Sequence, residues 1–113
     1  EANTISWDIL KNHATVFCSC PDEFSANGTR IYYSPLKDDP RVISGESGSV
    51  TLGLLYAIMT NPQYATLKSE LQLDENSEVL LISTEGDTDP DRFREIIWDG
   101  LCGTSKDPFE KDR

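Results

Sequence analysis

The stretch Val79-Leu80-Leu81-Ile82-Ser83-Thr84-Glu85-Gly86-Asp87-Thr88-Asp89-Pro90-Asp91-Arg92-Phe93-Arg94-Glu95-Ile96-Ile97-Trp98-Asp99 decides the fold. Its four consecutive apolar residues, Val79 to Ile82, read as a strand buried on both faces. Two hydroxyls, Ser83 and Thr84, stand where such a strand ends, and Glu85-Gly86-Asp87-Thr88 reads as a polar loop. Asp89-Pro90 then starts a helix, with Asp89 as N-cap and Pro90 at the first helical position, where a missing N–H costs nothing. Phe93, Ile96 and Ile97 share one face of that helix, and Gly100 stops it. A strand, loop and helix in this order indicate an α/β fold. Ligands of open α/β sheets bind beyond the carboxyl ends of the strands, so Ser83 and Thr84 are the first candidate ligand-facing residues.

Upstream, Thr4 can cap a short helix from Ile5 to Asn12. Thr15 to Cys18 is a short strand or an extended connection. Pro21-Asp22-Glu23 resembles the first turn of a helix, with acids beside the positive end of its dipole. From Phe24 to Tyr33 two readings stand. Phe24, Gly28 and Ile31 have helical spacing, while Asn27-Gly28 followed by Arg30-Ile31-Tyr32-Tyr33 is a hairpin signal. A helix is expected from about Ser47 to Thr60, with Ser44 or Ser47 as its cap. It is apolar on nearly every side and therefore expected to be buried. Asn61-Pro62 stops it and starts another helix, striped by Tyr64, Leu67 and Leu71. Asp74 to Ser77 is a turn, and residues 104–113 are expected to be a charged, mobile tail after one unit over 1–103.

With 113 residues, the chain suffices for one small domain. Its net charge of −10 argues against nucleic acid and anionic membrane as partners, since both require a basic patch. A mean hydropathy of −0.44 and the lack of a long apolar run fit a soluble chain. An odd set of cysteines, Cys18, Cys20 and Cys102, favours reduced thiols and a cytoplasmic setting. Residue 1 is Glu and the one methionine is Met59, so a processed piece or a fragment is expected.

Few motifs carry chemistry. Gly45-Glu46-Ser47-Gly48-Ser49 lacks the final glycine of a nucleophile elbow, where Ser49 stands. It reads instead as a helix start, or as a turn whose missing side chains let a planar ligand approach. Asp87, Asp89 and Asp91 have calcium-loop spacing, but Arg92 and Trp98 occupy the positions that need Gly and Glu. A tetrahedral zinc site would require every cysteine together with His13, so no metal site is assigned. Lys11, Lys37, Lys68, Lys106 and Lys111 lie in polar contexts, none suited to Schiff-base work.

Three stretches together carry a resemblance. They are Ile5-Ser6-Trp7-Asp8-Ile9-Leu10, then Asp39-Pro40-Arg41-Val42-Ile43-Ser44-Gly45-Glu46-Ser47-Gly48, then Ser83 to Pro90 with Arg94-Glu95-Ile96-Ile97-Trp98-Asp99-Gly100. In these the chain resembles the C-terminal portion of the 2,3-diaminopropionate ammonia-lyase family. Its members use pyridoxal 5'-phosphate (PLP), have the tryptophan-synthase-β fold type (fold type II), and are akin to threonine and serine dehydratases. The resemblance implies the C-terminal part of a large α/β domain, with helices on a partial, twisted, mostly parallel sheet. It favours a helix over Pro21 to Ser34 against the hairpin cue.

It also implies a cofactor site. Glu46-Ser47-Gly48 resembles the dehydratases' Glu-Pro-(Ser/Ala)-Gly-Ala turn, without its proline. Ser83 matches the serine that meets the pyridine nitrogen of PLP. Thr84-Glu85-Gly86 replaces the usual Gly-Gly-Asn, which makes Thr84 the alternative contact. The implied cofactor-binding residues are Ser83, Thr84, Glu46, Ser47 and Gly48. The Schiff-base lysine, the phosphate-cradling loop and the catalytic acid/base of the family lie in its N-terminal portion. The implied partners are that portion, an amino-acid substrate and a second copy in a homodimer. The segment alone is expected to be inactive. A non-catalytic fragment acting only by association is the alternative.

Overall fold

In a computed structural model, residues 4–103 are described, and the expected tail over 104–113 lies outside them. Five α-helices follow in order: α1 Thr4–His13, α2 Asp22–Tyr33, α3 Glu46–Thr60, α4 Ala65–Glu70 and α5 Pro90–Ile97. A 3₁₀ turn, Pro62–Tyr64, leads into α4.

The α2–α3 pair is the centre of the fold. The two helices cross at Gly28 and Gly53. A Cβ on Gly53 would overlap the Phe24 carbonyl group. One on Gly28 would run into the Ser49 carbonyl oxygen and stand 2.9 Å from the Gly53 amide nitrogen. Glycine inside a helix is worth about 1 kcal/mol less than alanine. Here that loss is offset by the close backbone approach that only glycine permits. Gly28 therefore lies inside α2 and not in a turn. The helix implied over Pro21 to Ser34 is present, and the Asn27-Gly28 hairpin reading is overturned. Ala26 and Ile58 are buried within the same pair.

Against α2 packs α5. Arg30 Nε donates to the Ile96 carbonyl at 2.9 Å, and its Nη2 donates to the Leu101 carbonyl. A cationic side chain thus meets one carbonyl of the last turn of α5, where the helix dipole favours it, and one in the turn beyond it. Tyr33 and Phe93 make an edge-on ring contact at 5.7 Å, and Ile96 is 1% exposed. The start of α5 is as read: Asp89 Oδ1 accepts from the Arg92 amide at 3.3 Å, with Pro90 in the first turn. Gly100 follows in the left-handed conformation at φ 74°.

Further expectations need correction. No strand occurs among the described residues, so the partial sheet is not present there. Residues 79–82 make no backbone hydrogen bond to any described residue. They are not buried on both faces either: Leu80 is 86% and Ile82 68% exposed. A strand exists only through its ladder partners, and this one has none among the described residues. Helix α3 is likewise less enclosed than its apolar sequence suggests. It packs on α2 and on the 62–70 region, while Tyr56 and Thr51 face outward. Its first turn is also capped differently. Gly45 is the N-cap residue and no side chain caps the helix, so neither Ser44 nor Ser47 does so.

The remaining connections follow local rules. Asn61 Oδ1 accepts from the Gln63 amide at 3.0 Å, and Asp74 Oδ1 from the Asn76 amide at 2.8 Å. Thr15 to Cys18 is an extended connection rather than a strand. Trp7 on α1 meets Phe17 in that connection with ring centroids 6.2 Å apart, yet no residue of α1 is buried.

Candidate functional site

Where residues 83–86 meet the first turn of α3, the two stretches singled out in the sequence come together. The Gly45 amide donates to the Glu85 carbonyl at 3.1 Å. Ser83 Oγ and Ser44 Oγ are 2.7 Å apart. Ser49 Oγ donates to the Ser44 carbonyl at 3.2 Å from a fully buried position. Gly48 makes this approach sterically feasible. A Cβ there would overlap Ser44 Oγ and stand 3.0 Å from the Thr84 amide nitrogen and 3.1 Å from Ser83 Oγ. Gly45 has a similar role, since its Cβ would stand 2.7 Å from the Gly86 carbonyl oxygen. Both glycines thus admit the close approach of neighbouring atoms of the chain itself.

The expected site residues divide between two faces of this junction. Ser83, Thr84 and Gly48 gather at the end of the apolar stretch, with the side chains of Ser83 and Thr84 exposed. Glu46 and Ser47 line a neighbouring cleft of about 190 Å³ between α3, α5 and the 85–89 loop, floored by Thr29, Phe93 and Ile96. Both Glu46 oxygens are engaged there. Arg92 Nε donates to Oε1 at 2.8 Å and Nη2 to Oε2 at 3.4 Å. The hydrogen bond to Glu46, reinforced by its charge, raises the Arg92 guanidinium above its ordinary range. The pair is about one-third exposed on each side, so its main effect is to fix the direction of Glu46. Glu85 adds a second tether, accepting from Thr88 Oγ1 at 3.3 Å.

Two participants were not singled out by sequence reasoning. Ser44, 1% exposed, was read only as a possible cap, and Arg92 only as a residue in the wrong place for a calcium loop. Neither contact has a local signal, because Ser44 meets Ser83 across 39 residues and Arg92 meets Glu46 across 46.

Other reactive groups lie elsewhere. Cys18 and Cys20 line an apolar hollow with Val16, Val50 and Leu54. Burial, with Cys18 beside it, raises the Cys20 thiol, which makes it a weaker nucleophile at neutral pH. Among the described lysines, Lys11 lies on α1, Lys37 in the 34–45 loop and Lys68 on α4, none lining the junction.

What the junction offers is therefore limited and specific. It provides hydroxyl groups beside a glycine and one charge pair, suited to holding the edge of a planar polar ligand. It has no nucleophile–base pair of its own.

Known proteins share this arrangement of sequence. No protein-family model matches the chain. The diaminopropionate ammonia-lyase of Escherichia coli (strain K12) is 49% identical over 100 residues, covering 88% of this chain and 25% of the relative. That of Salmonella typhimurium (strain LT2) is 48% identical over 101 residues, with the same coverage. The crystal structure of the Escherichia coli enzyme in apo form superposes with a TM-score of 0.86 at 46% identity, covering 92% of this chain and 29% of that one. The same enzyme in complex with an aminoacrylate-PLP azomethine reaction intermediate gives a TM-score of 0.85 at 47% identity, covering 91% and 27%. The chain spans about a quarter of the length of the curated relatives it matches. The resemblance read from three short stretches is thus a relationship over most of the chain, which is homologous to the C-terminal portion of the diaminopropionate ammonia-lyases.

Proposed function

We propose that this chain is the C-terminal segment of a PLP-dependent ammonia-lyase. The reaction is α,β-elimination on 2,3-diaminopropionate, giving pyruvate and ammonia. The observation that carries the reading is 49% identity over 100 residues to an enzyme of that name. A relative's complex with a PLP-bound reaction intermediate supports the cofactor. The segment supplies the pyridine-side wall of the cofactor site, formed by Ser83, Thr84 and Gly48, with Glu46 and Ser47 beside it. The Schiff-base lysine comes from the remainder of the enzyme.

The residues present fit that cofactor along one edge. Ser83 and Thr84 offer exposed hydroxyls, and the absent side chain at Gly48 lets the Ser44 hydroxyl and the 83–84 backbone close up behind them. When bound, PLP supplies the electron sink that acidifies the substrate's α-proton. The chain's own contribution is to place a neutral hydroxyl, not a carboxylate, at the ring nitrogen. Such a contact does not hold that nitrogen protonated, so the sink is moderate. This suits an elimination in which the leaving group departs as the α-proton is lost. In this reading Glu46 is not that carboxylate, since both its oxygens face Arg92. Its role is to tie α3 to α5, and so to set the orientation of the turn that carries Gly48.

The partial parallel sheet, the homodimer and a cytoplasmic location belong to the same reading. In it, residues 79–82 form one strand of a sheet whose neighbours come from the other three quarters of the enzyme. The test is complementation. This chain is mixed with the Escherichia coli enzyme truncated of its matching C-terminal quarter, and pyruvate is followed from diaminopropionate. Recovery of pyruvate formation is expected. A folded mixture that binds PLP but makes no pyruvate would overturn the reading.

One observation favours a second reading, a non-catalytic fragment acting by association: Leu80, Ile82, Ile5 and Phe17 are all more than half exposed. Exposed apolar surface of this kind drives self-association. A concentration-independent monomer by sedimentation would exclude that mode.

A further inference from the structure

Ser44 is one of two buried hydroxyls at the junction, the other being Ser49. The Ser44 hydroxyl is 2.7 Å from Ser83 Oγ and 3.3 Å from the Gly45 carbonyl oxygen. Within the 2.7 Å contact one hydroxyl must donate. A buried O–H has to find its acceptor within the protein, and the Ser83 oxygen is the nearer one. Ser83 is exposed, and its own alternative acceptor, the Glu85 carbonyl, lies at 3.4 Å. The arrangement that satisfies the buried group best has Ser44 donating and Ser83 accepting. The proton of Ser83 is then left with only the long 3.4 Å contact to the Glu85 carbonyl, from which a better acceptor beyond the end of the apolar stretch can draw it.

The surroundings hold Ser44 in that arrangement. Ser49 Oγ donates to its backbone carbonyl, and the Gly45 amide is fixed to the Glu85 carbonyl. Gly48 leaves the space the Ser44 hydroxyl fills. Three features that look separate in sequence, a buried serine, a glycine and a strand-end serine, act on one proton.

We infer that Ser44 is a positioning residue that makes Ser83 a hydrogen-bond donor, and not an acceptor, toward the ring nitrogen of PLP. This rests on the Ser83 contact proposed above. A donor facing the nitrogen requires a lone pair there and so keeps the ring unprotonated. Without Ser44, the Ser83 oxygen loses the donor that engages it, and can accept from a protonated ring while keeping its hydrogen bond to the Glu85 carbonyl. The buried hydroxyl thereby sets the electron demand of the cofactor without touching it.

The experiment uses a chimera in which this chain replaces the matching quarter of the Escherichia coli enzyme. It is loaded with PLP isotopically labelled at the ring nitrogen, and that nitrogen is followed by NMR across the neutral pH range. In the parent chimera the signal stays at the unprotonated position. In Ser44→Ala it moves toward the protonated position on acidification, with a midpoint raised by about one pH unit, the size of one hydrogen bond. Ser44→Cys, a weaker donor of similar shape, gives a smaller shift in the same direction and serves if the alanine variant does not fold. A merely structural role would lower cofactor occupancy while leaving the midpoint in place. If Ser83→Ala moves the nitrogen signal and the Ser44 variants do not, the inference is wrong and the Ser83 contact stands. If Ser83→Ala also leaves the signal unmoved, or the parent chimera binds no PLP, the Ser83 contact falls and the inference with it.

Discussion

The α2–α3 crossing and the 79–84 stretch are both apolar in sequence, yet only the first is complete. At the crossing, Gly28 and Gly53 bring two backbones together, and Ala26 and Ile58 are buried. Along 79–82 Val79, Leu80 and Ile82 are exposed and Leu81 is half-buried, and the backbone has no described partner. Hydrophobic composition alone does not distinguish the two regions. The difference lies in whether a complementary surface is present among the described residues. The candidate site sits where they meet: the end of the incomplete region is pinned to the start of α3 through Ser83, Ser44 and Glu85.

The sharpest way to break this contrast is at the crossing. Gly53→Ala gains about 1 kcal/mol of helix propensity. It must also fit a methyl group where the Phe24 carbonyl stands, and backbone atoms cannot yield as a side-chain tip can. Overpacking wins. We expect a net loss of about 3 kcal/mol in denaturant unfolding, or failure to fold. A neutral result would mean that the crossing is looser than described.

A smaller effect is expected at the N-terminus of α5. Asp89→Ala removes the carboxylate that accepts from the Arg92 amide and should cost about 1 kcal/mol. Asp89→Asn, which keeps the acceptor, should recover most of it. The smallest effect is expected in the exposed stretch. Leu80→Lys should change the stability of the isolated chain by less than about 0.5 kcal/mol, because an 86% exposed side chain loses no packing. The same substitution should abolish complementation under the proposed reading, in which residues 79–82 join a sheet. A Leu80→Lys chain destabilised as strongly as Gly53→Ala would erase the contrast between the regions.

The sequence revealed local features more readily than distant ones. Asp89-Pro90 and Asn61-Pro62 marked helix starts because capping is decided within a few residues. Asn27-Gly28 misled on local grounds, since its glycine answers to Ser49 and Gly53 on another helix. The apolar run at 79–82 was legible, but reading it as a buried strand needed ladder partners that no described residue supplies. Of the candidate site, Ser83, Thr84 and the Gly45–Gly48 turn were found from strand-end position and resemblance. Ser44 and Arg92 were not, because a buried hydroxyl pair and a long-range ion pair leave no periodicity.

The most direct test of the account is amide hydrogen exchange at residues 79–82, measured in the isolated chain and after complementation with the remainder of the Escherichia coli enzyme. The account predicts fast exchange in the isolated chain, while the interior of α3 around Gly53 is protected, and strong protection of 79–82 once the partner is added. Protection of 79–82 in the isolated monomer, or continued fast exchange in an active complemented enzyme, would contradict it.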